Sequence, residues 1–196
     1  MISCILLSAG LSSRFGSPKA LAKINRETVV ERLQKLLLAT ETGEIIVVLG
    51  DSAERIKPVL FKHKKVKIVY NKDYKLGQTS SFKSGLAEIS PQTEGILLLP
   101  VDYPVVKRET LERLINFFQE HRPLILVPGY QGHKGHPPIF DVRLKKEFLD
   151  LDDSAGINTV IHRHAAETHI LPVEDEGVIR SFNTPEEFKG LKALLP

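Results

Sequence analysis

The residues ISCILL (2–7) run directly into SAGLSSRFGSPK (8–19), and our fold prediction starts from this change from strand to loop. A short buried strand that ends in a glycine- and serine-rich loop, with Arg14 and Lys19 in that loop, is suited to holding phosphates. Gly10 and Gly16 allow backbone conformations that a Cβ would forbid, so main-chain N–H groups can turn toward an anion. We therefore predict a triphosphate-binding loop. The alternative is a solvated loop whose basic residues bind nothing.

The spacing of this loop excludes two commoner phosphate-binding motifs. A Walker A loop requires Gly, four residues and then Gly-Lys-Ser/Thr, whereas Gly16 is followed by Ser17 and Pro18 before Lys19 arrives. A dinucleotide fingerprint requires G-x-G-x-x-G, and this region offers only Gly10 and Gly16. The loop therefore belongs to neither class.

Beyond the loop, short apolar runs alternate with longer amphipathic segments. The apolar runs predict strands at 2–7, 44–49, 66–70, 95–99 and 124–127, and the helical spacing predicts helices at 28–39, 53–61, 80–89 and 107–120. This order predicts a Rossmann-like three-layer α/β sandwich, a mainly parallel sheet with helices on both faces. Ligands bind such sheets outside the carboxyl ends of the strands. From Gly129 onward the pattern is weaker, and it predicts strands near 168–171 and 178–182 and a last helix from Pro185.

Composition narrows the function further. The 196 residues, 42% of them hydrophobic, predict a single domain over residues 1–196. The net charge of +3 is small and its basic residues are scattered, which does not indicate a nucleic-acid partner. The single cysteine, Cys4, cannot form an internal disulfide. No run resembles a signal peptide or a membrane span, so we expect a cytoplasmic protein without a membrane partner.

The segment LLLPVDYP (97–104) places Asp102 immediately after a predicted buried strand. Pro100 and Pro104 restrict the backbone around this carboxylate, which suits a ligand of a metal that bridges phosphates. Mg²⁺ is typically held by one or two carboxylates together with substrate phosphates. The alternative is that Asp102 only ends the strand or caps the helix that begins near Lys107.

The segment GQTSSFKSG (77–85) opens a predicted helix after the third strand. The free N–H groups and positive dipole of a helix start can receive an anion, and Ser80 and Ser81 add hydroxyls. Serine at a helix start is also an ordinary cap, so this segment by itself favours a structural role.

The segment GHKGHPPIF (132–140) contains His133 and His136. No cysteine or carboxylate stands at ligand spacing, which argues against zinc. We predict a flexible substrate loop instead.

These segments together resemble the MobA-like nucleotidyltransferases. Residues 7–19 resemble the family signature L-x-[AG]-G-x-S-x-R-[FM]-G-x-x-K, and residues 102–104 and 77–81 resemble its D-x-P and G-x-x-S-S motifs. Within the family the chain most resembles the molybdenum cofactor cytidylyltransferases, because residues 134–137 resemble their R-G-H-P segment. The resemblance implies a nucleotide-diphospho-sugar transferase-like fold.

The resemblance also implies roles for individual residues. Arg14, Lys19 and Asp102 would be catalytic, Asp102 and Asn183 would hold Mg²⁺, and His136 would lie in the substrate loop. The implied nucleotide contacts are Leu7, Ser8, Ala9, Gly10, Arg14, Lys19, Gly50, Asn71, Ser80, Ser81 and Asp102. Two positions depart from the pattern: Lys134 stands where arginine is usual, and Ser181 replaces the first acidic residue of the motif that contains Asn183.

The activity implied by the resemblance is transfer of CMP from CTP to the phosphate of molybdopterin or the molybdenum cofactor, with release of pyrophosphate. A molybdoenzyme or its chaperone would receive the product. The preference for cytosine depends on Ala9 and on residues 135–137. Three alternatives stay open: a molybdopterin guanylyltransferase, a cytidylyltransferase for another small phosphate, and a nucleotide-binding regulatory module without turnover.

Overall fold

The computed structural model of the protein describes residues 1–192 and residue 194. An eight-stranded sheet forms its centre. Its strands are β1 (Ile2–Ser8), β4 (Glu44–Leu49), β5 (Val66–Tyr70), β6 (Gly95–Pro100), β7 (Ile125–Tyr130), β8 (His133–Lys134), β9 (Ile139–Asp141) and β10 (Thr168–Pro172). The short strands β2 (Lys23–Ile24) and β3 (Glu27–Thr28) pair with each other in a separate two-stranded sheet.

The strand order of the main sheet is β10-β7-β9-β6-β1-β4-β5, and β8 pairs with β7 outside this path. The pairs that β1 makes with β4 and β6 are parallel, as are β4 with β5 and β10 with β7. Only β8 and β9, among the described strands of this sheet, run antiparallel to their neighbours. The mainly parallel sheet that we predicted is therefore confirmed.

Helices cover both faces of the sheet. They are α1 (Val29–Leu38), α2 (Ala53–Ile56), α3 (Gln78–Leu86), α4 (Arg108–His121), α5 (Lys145–Leu149), α6 (Asn158–Arg163) and α7 (Pro185–Lys192). One apolar core packs α1, α4 and α7 on the even-numbered side chains of β1, and the other packs α3, α5 and α6 on the odd-numbered ones. This alternation follows from the two-residue period of a strand that is buried on both faces. Thr28 and Glu31 form a capping box that fixes the start of α1.

Three predictions of local structure differ from what is observed. The helix predicted at 53–61 ends at Ile56 and continues as a 3-10 turn, Lys57–Val59, because Pro58 lacks the N–H that an α-helix requires. The strand predicted at 178–182 is wrong: Asp175 caps a 3-10 helix there, Glu176–Ile179. Strands β8 and β9 were not anticipated, since the sequence predicted a flexible loop over 132–140. No helix in the described part of the chain is both long and apolar enough to span a bilayer.

Candidate active site

The loop after β1 is ordered by its own hydrogen bonds. Ser12 and Gly16 have positive φ values of 52° and 77°, and the amides of Phe15 and Gly16 donate to the Ser12 carbonyl at 3.0 Å. The Ser12 hydroxyl accepts from the amide of Lys19 at 3.2 Å. The ring of Phe15 packs edge-on against Phe182, with centroids 5.2 Å apart. The loop is thus anchored while its polar groups line the space beyond β1.

The two basic residues of this loop meet the predicted metal ligands. The Lys19 ammonium donates to Asp102 Oδ2 at 3.2 Å and to Asn183 Oδ1 at 2.9 Å. The Arg14 guanidinium donates to the same Asn183 oxygen at 3.0 Å. Asp102 and Asn183 belong to adjacent segments, because the Phe182 amide donates to the Asp102 carbonyl at 3.2 Å. Residues from distant parts of the sequence therefore converge on one ammonium group.

The topology explains this convergence. Strands β1 and β6 are parallel neighbours, and Leu7 is in register with Pro100. Both strands consequently end at the same edge of the sheet, where the loop follows β1 and Asp102 follows β6.

A cleft of about 370 Å³ opens at this edge. Most of the predicted site residues line it: Leu7, Ser8, Ala9, Gly10, Arg14, Lys19, Ser81, Asp102 and Asn183. Gly50, Asn71, Ser80 and His136 are not among its lining residues. The structure thus brings one group of predicted residues together and places four others elsewhere.

Asn71, Ser80 and Ser81 form a buried hydrogen-bonded group behind the cleft. The Asn71 amide donates to the Ser80 hydroxyl at 2.9 Å and to the Ser81 hydroxyl at 3.0 Å. The Ser80 hydroxyl donates to the carbonyls of Asp73 at 2.9 Å and Gly77 at 3.1 Å. These bonds join the end of β5 to the start of α3. Ser81 also reaches the cleft, whereas Asn71 and Ser80 shape its wall from behind, and their direct contact with a nucleotide stays a prediction.

Gly50 supports the floor of the cleft. A Cβ at this position would lie 2.5 Å from the Cβ of Tyr74 and 2.7 Å from the Ala9 carbonyl. Glycine is therefore required for the close approach between the end of β4 and the first residues of the loop.

A second cleft of about 310 Å³ contains His136. The His136 ring packs on Tyr103 with centroids 4.3 Å apart. Its Nδ1 atom is buried and has no hydrogen-bond partner in the described part of the chain. Burial lowers the pKa of His136, and the nearby Asp102 carboxylate opposes this shift. Burial and the Asp102 charge raise the pKa of Tyr103.

The two clefts adjoin. Gln78, the first residue of α3, lines both of them, and Asp102 in the first cleft is followed in sequence by Tyr103 in the second. Sequence reasoning did not select Gln78, nor Lys75, which adds a further cation to the first cleft. The available signal was the position of Gln78 within the segment 77–85 and of Lys75 just before it.

The donor set fits a magnesium ion that arrives with a polyphosphate. Asp102 and Asn183 present oxygen atoms to the same point, and oxygen is the ligand that Mg²⁺ prefers. Residues 1–192 and 194 contain no cluster of three or more His, Cys, Asp or Glu side chains able to hold a metal by themselves. Phosphate oxygens would have to complete the coordination, as is usual for Mg²⁺ in nucleotide sites.

A doubly covered, mainly parallel sheet with a basic loop and a carboxylate facing one cleft defines a nucleotide-binding α/β protein. Residues 4–168 match the model of the MobA-like NTP transferase domain. The chain therefore belongs to the MobA-like family of nucleotidyltransferases, as its sequence motifs predicted.

Proteins that are named for different activities are similar in sequence to nearly the whole chain. The nicotine blue oxidoreductase of Paenarthrobacter nicotinovorans is 26% identical, covering 97% of this chain and 96% of the relative. The molybdenum cofactor cytidylyltransferase of Escherichia coli K12 is 22% identical over 95% of this chain and 93% of its own. The crystal structure of Rv0371c from Mycobacterium tuberculosis is 25% identical, with a TM-score of 0.86 over 98% and 97% of the two chains. Rv0371c has also been solved as a manganese complex, with a TM-score of 0.81 and 24% identity over 98% of each chain.

Proposed function

We propose that this protein is a Mg²⁺-dependent nucleotidyltransferase that transfers CMP from CTP to the phosphate of molybdopterin or the molybdenum cofactor. The observation that carries this proposal is the contact at 3.2 Å between Lys19 of the glycine- and serine-rich loop and Asp102 at the end of β6. This contact supports the proposal because Arg14 and Lys19, which are suited to phosphates, and Asp102, which is suited to a metal, line the same cleft. The choice of base and acceptor is supported by the similarity to the Escherichia coli cytidylyltransferase.

Binding of the triphosphate follows from the charges that line the first cleft. Arg14, Lys19 and the N–H groups of the loop would donate hydrogen bonds to its oxygens and neutralise part of their negative charge. Asp102 and Asn183 would hold Mg²⁺, which supplies Lewis-acid polarisation of the phosphoryl oxygens when it is bound.

The transfer itself requires orientation rather than a protein nucleophile. An oxygen of the acceptor phosphate attacks the α-phosphorus, the bond to the β-phosphate oxygen breaks, and pyrophosphate leaves. The acceptor phosphate is already ionised at neutral pH, so no general base has to remove a proton. The protein contributes by holding the two substrates in line, which converts a bimolecular encounter into a reaction within one complex.

The second cleft is the natural location for the acceptor. It adjoins the first cleft at Gln78 and Asp102, so a phosphate at their junction would face the α-phosphorus. Its walls combine apolar and aromatic side chains with polar ones, which suits a flat heterocycle that carries polar edges. The apolar and aromatic residues are Leu98, Tyr103, Val127, His136, Phe140, Ile157 and Ile161, and the polar ones are Gln78, Lys134, Asn158 and His162. The buried Nδ1 of His136 is among the polar groups that the edge of such a ring would meet.

Other activities predict different results. A guanylyltransferase would prefer GTP, and a cytidylyltransferase for another small phosphate would react without molybdopterin. A nucleotide-binding module without turnover would bind a nucleotide and release no pyrophosphate, and the replacement of an acidic residue by Ser181 is the observation that favours it. The name of the oxidoreductase relative suggests a further alternative, a redox activity, in which the second cleft would hold a flat substrate.

The decisive experiment compares the four nucleoside triphosphates with Mg²⁺, with and without molybdopterin. We expect pyrophosphate release only with CTP, Mg²⁺ and the acceptor together. Asp102→Asn should abolish this release and leave the fold intact. Asp141→Asn is the control, because it makes the same change at a carboxylate outside both clefts, in register with Gly95 at the opposite end of β6. Full activity in Asp102→Asn, or a preference for GTP, would contradict the proposal.

A further inference from the structure

The segment from Asp175 to Asn183 follows the residues that match the family model and runs between the two clefts. On one side, the His136 amide donates to the Val178 carbonyl at 2.7 Å. On the other side, the Phe182 amide donates to the Asp102 carbonyl at 3.2 Å. One stretch of backbone is thus bonded both to the loop that carries the metal ligand and to the loop that carries His136.

This segment is closely packed against its neighbours. A Cβ on Gly177 would lie 2.5 Å from the Val105 carbonyl, and a Cβ on Gly135 would lie 2.5 Å from the Val178 carbonyl. The 3-10 turn Glu176–Ile179 is therefore in direct backbone contact with the loops on both sides. A displacement of the turn would be transmitted to Asp102 and His136, because closely packed backbone has no void to absorb it.

Asp175 fixes the start of this turn. Its side chain is 2% exposed, and Oδ1 accepts from the Gly177 amide at 2.9 Å. Oδ2 accepts from the Lys107 amide at 2.8 Å and from the Thr110 hydroxyl at 2.7 Å. These donors stabilise a buried carboxylate that lines neither cleft, and they tie the turn to the first residues of α4, just after the loop that contains Asp102.

We propose that Asp175 is a positioning residue for nucleotidyl transfer, which holds Asp102, Asn183 and His136 in one register across the two clefts. The inference depends on the proposed function for its substrates. Asp175 is buried and lies outside the residues that match the family model. In this proposal it keeps the metal-binding cleft and the acceptor cleft aligned.

The test is Asp175→Asn, which puts an amide N–H group against a backbone or hydroxyl donor. Two readouts are measured where the variants are folded: kcat with KM for CTP, and the Kd of Mn²⁺ for the complex with a non-hydrolysable CTP analogue. We expect kcat to fall by about 10- to 100-fold with KM changed much less, because misalignment by ~1 Å is costly in the transition state. The Kd of Mn²⁺ should rise several-fold.

Asp141→Asn again provides the control. Asp141 is buried and caps the 3-10 helix Val142–Leu144 through the Arg143 amide at 2.9 Å, so its loss should cost stability without changing either readout. Thr110→Val removes one bond to Asp175 and serves if Asp175→Asn does not fold; it should show the same pattern more weakly.

The outcomes separate the two proposals. A wild-type protein that binds no Mn²⁺ with the CTP analogue overturns the proposed function. Wild-type binding and turnover with unchanged kcat and Mn²⁺ affinity in Asp175→Asn, or an equal loss in Asp141→Asn, overturns the positioning role alone.

Discussion

Replacing Lys19 by Met tests the centre of the site, because this ammonium contacts the proposed metal ligands in the free protein and would contact the triphosphate in the complex. Its loss should have opposite effects on metal binding and on nucleotide binding. Met preserves the length of the side chain and removes its charge. In the free protein the change releases Asp102 Oδ2, which Lys19 holds at 3.2 Å, and removes one of the two donors to Asn183 Oδ1, which keeps its bond from Arg14 at 3.0 Å. In the nucleotide complex it removes a cation from the triphosphate. We therefore expect weaker binding of CTP and tighter binding of metal alone.

The magnitudes follow from the geometry. Opposite charges 3.2 Å apart attract by about 5 kcal/mol at an effective dielectric constant of about 20. The side chains of Lys19 and Asp102 are 13% and 24% exposed, and desolvation offsets most of the attraction, which leaves a net value of roughly 1 to 3 kcal/mol. A hydrogen bond from Lys19 to phosphate has a similar value, so the Kd of CTP should rise about 10- to 100-fold. The Kd of Mn²⁺ without nucleotide should fall roughly tenfold.

Titration calorimetry with CTP and, separately, with Mn²⁺ measures both effects. Lys75→Met is the matched control, because Lys75 lines the same cleft and has no hydrogen bond to Asp102 or Asn183 in the described part of the chain. The control should weaken CTP binding slightly and leave the affinity for Mn²⁺ unchanged. A Lys19→Met protein that binds CTP as the wild type does, or binds Mn²⁺ no more tightly, would show that Lys19 does not have both of these roles.

Two further predictions concern stability. Gly50→Ala should lower the free energy of unfolding in urea by about 1 to 3 kcal/mol, because its Cβ would overlap neighbours as close as 2.5 Å, whereas Gly190→Ala in open space should not be destabilising. Hydrogen bonds to Glu167 and Glu147 raise the pKa of His164 above its ordinary value of 6.5, so their stabilisation is complete below that pH and is lost as pH rises through the folded pKa. His164→Gln should therefore lower the melting temperature at about pH 5.5 and have little effect at about pH 9, and an equal loss at both would show that protonation is not the cause.

The sequence was sufficient for the main-sheet strands of the first half of the fold, because they are continuous apolar runs separated by amphipathic segments, although α2 is shorter than predicted. The meeting of Lys19 with Asp102 also followed from the sequence, since carboxyl ends of parallel strands share one edge. The residue Asn183 joins them through a segment with no regular secondary structure. Its approach was suggested by the family motif and could not be obtained from periodicity.

The later half was harder to predict for physical reasons. Strand β9 has three residues and follows two prolines, so it has too few positions to show an alternating pattern. Val178 and Ile179 resemble part of a strand, but the Asp175 carboxylate caps a 3-10 helix at this position. Asn71 and Ser80 occupy positions that resemble nucleotide contacts, yet their hydrogen bonds stabilise the protein itself, which local sequence cannot distinguish.

The site has Ser181 and Asn183 where the family motif has acidic residues, and these neutral side chains determine the charge of the free site. Arg14 and Lys19 face the single carboxylate of Asp102, and the Asn183 oxygen adds no charge, so cations are in excess before a substrate binds. A second carboxylate would have balanced them and would have attracted a metal ion by itself. With an excess of positive charge the cleft repels a free divalent cation and attracts a triphosphate, which remains an anion when it carries Mg²⁺. If the proposed function is correct, this charge arrangement favours binding of the metal together with the nucleotide. Lys19, which contacts Asp102 and Asn183 in the free protein, would then turn to the phosphates when they arrive.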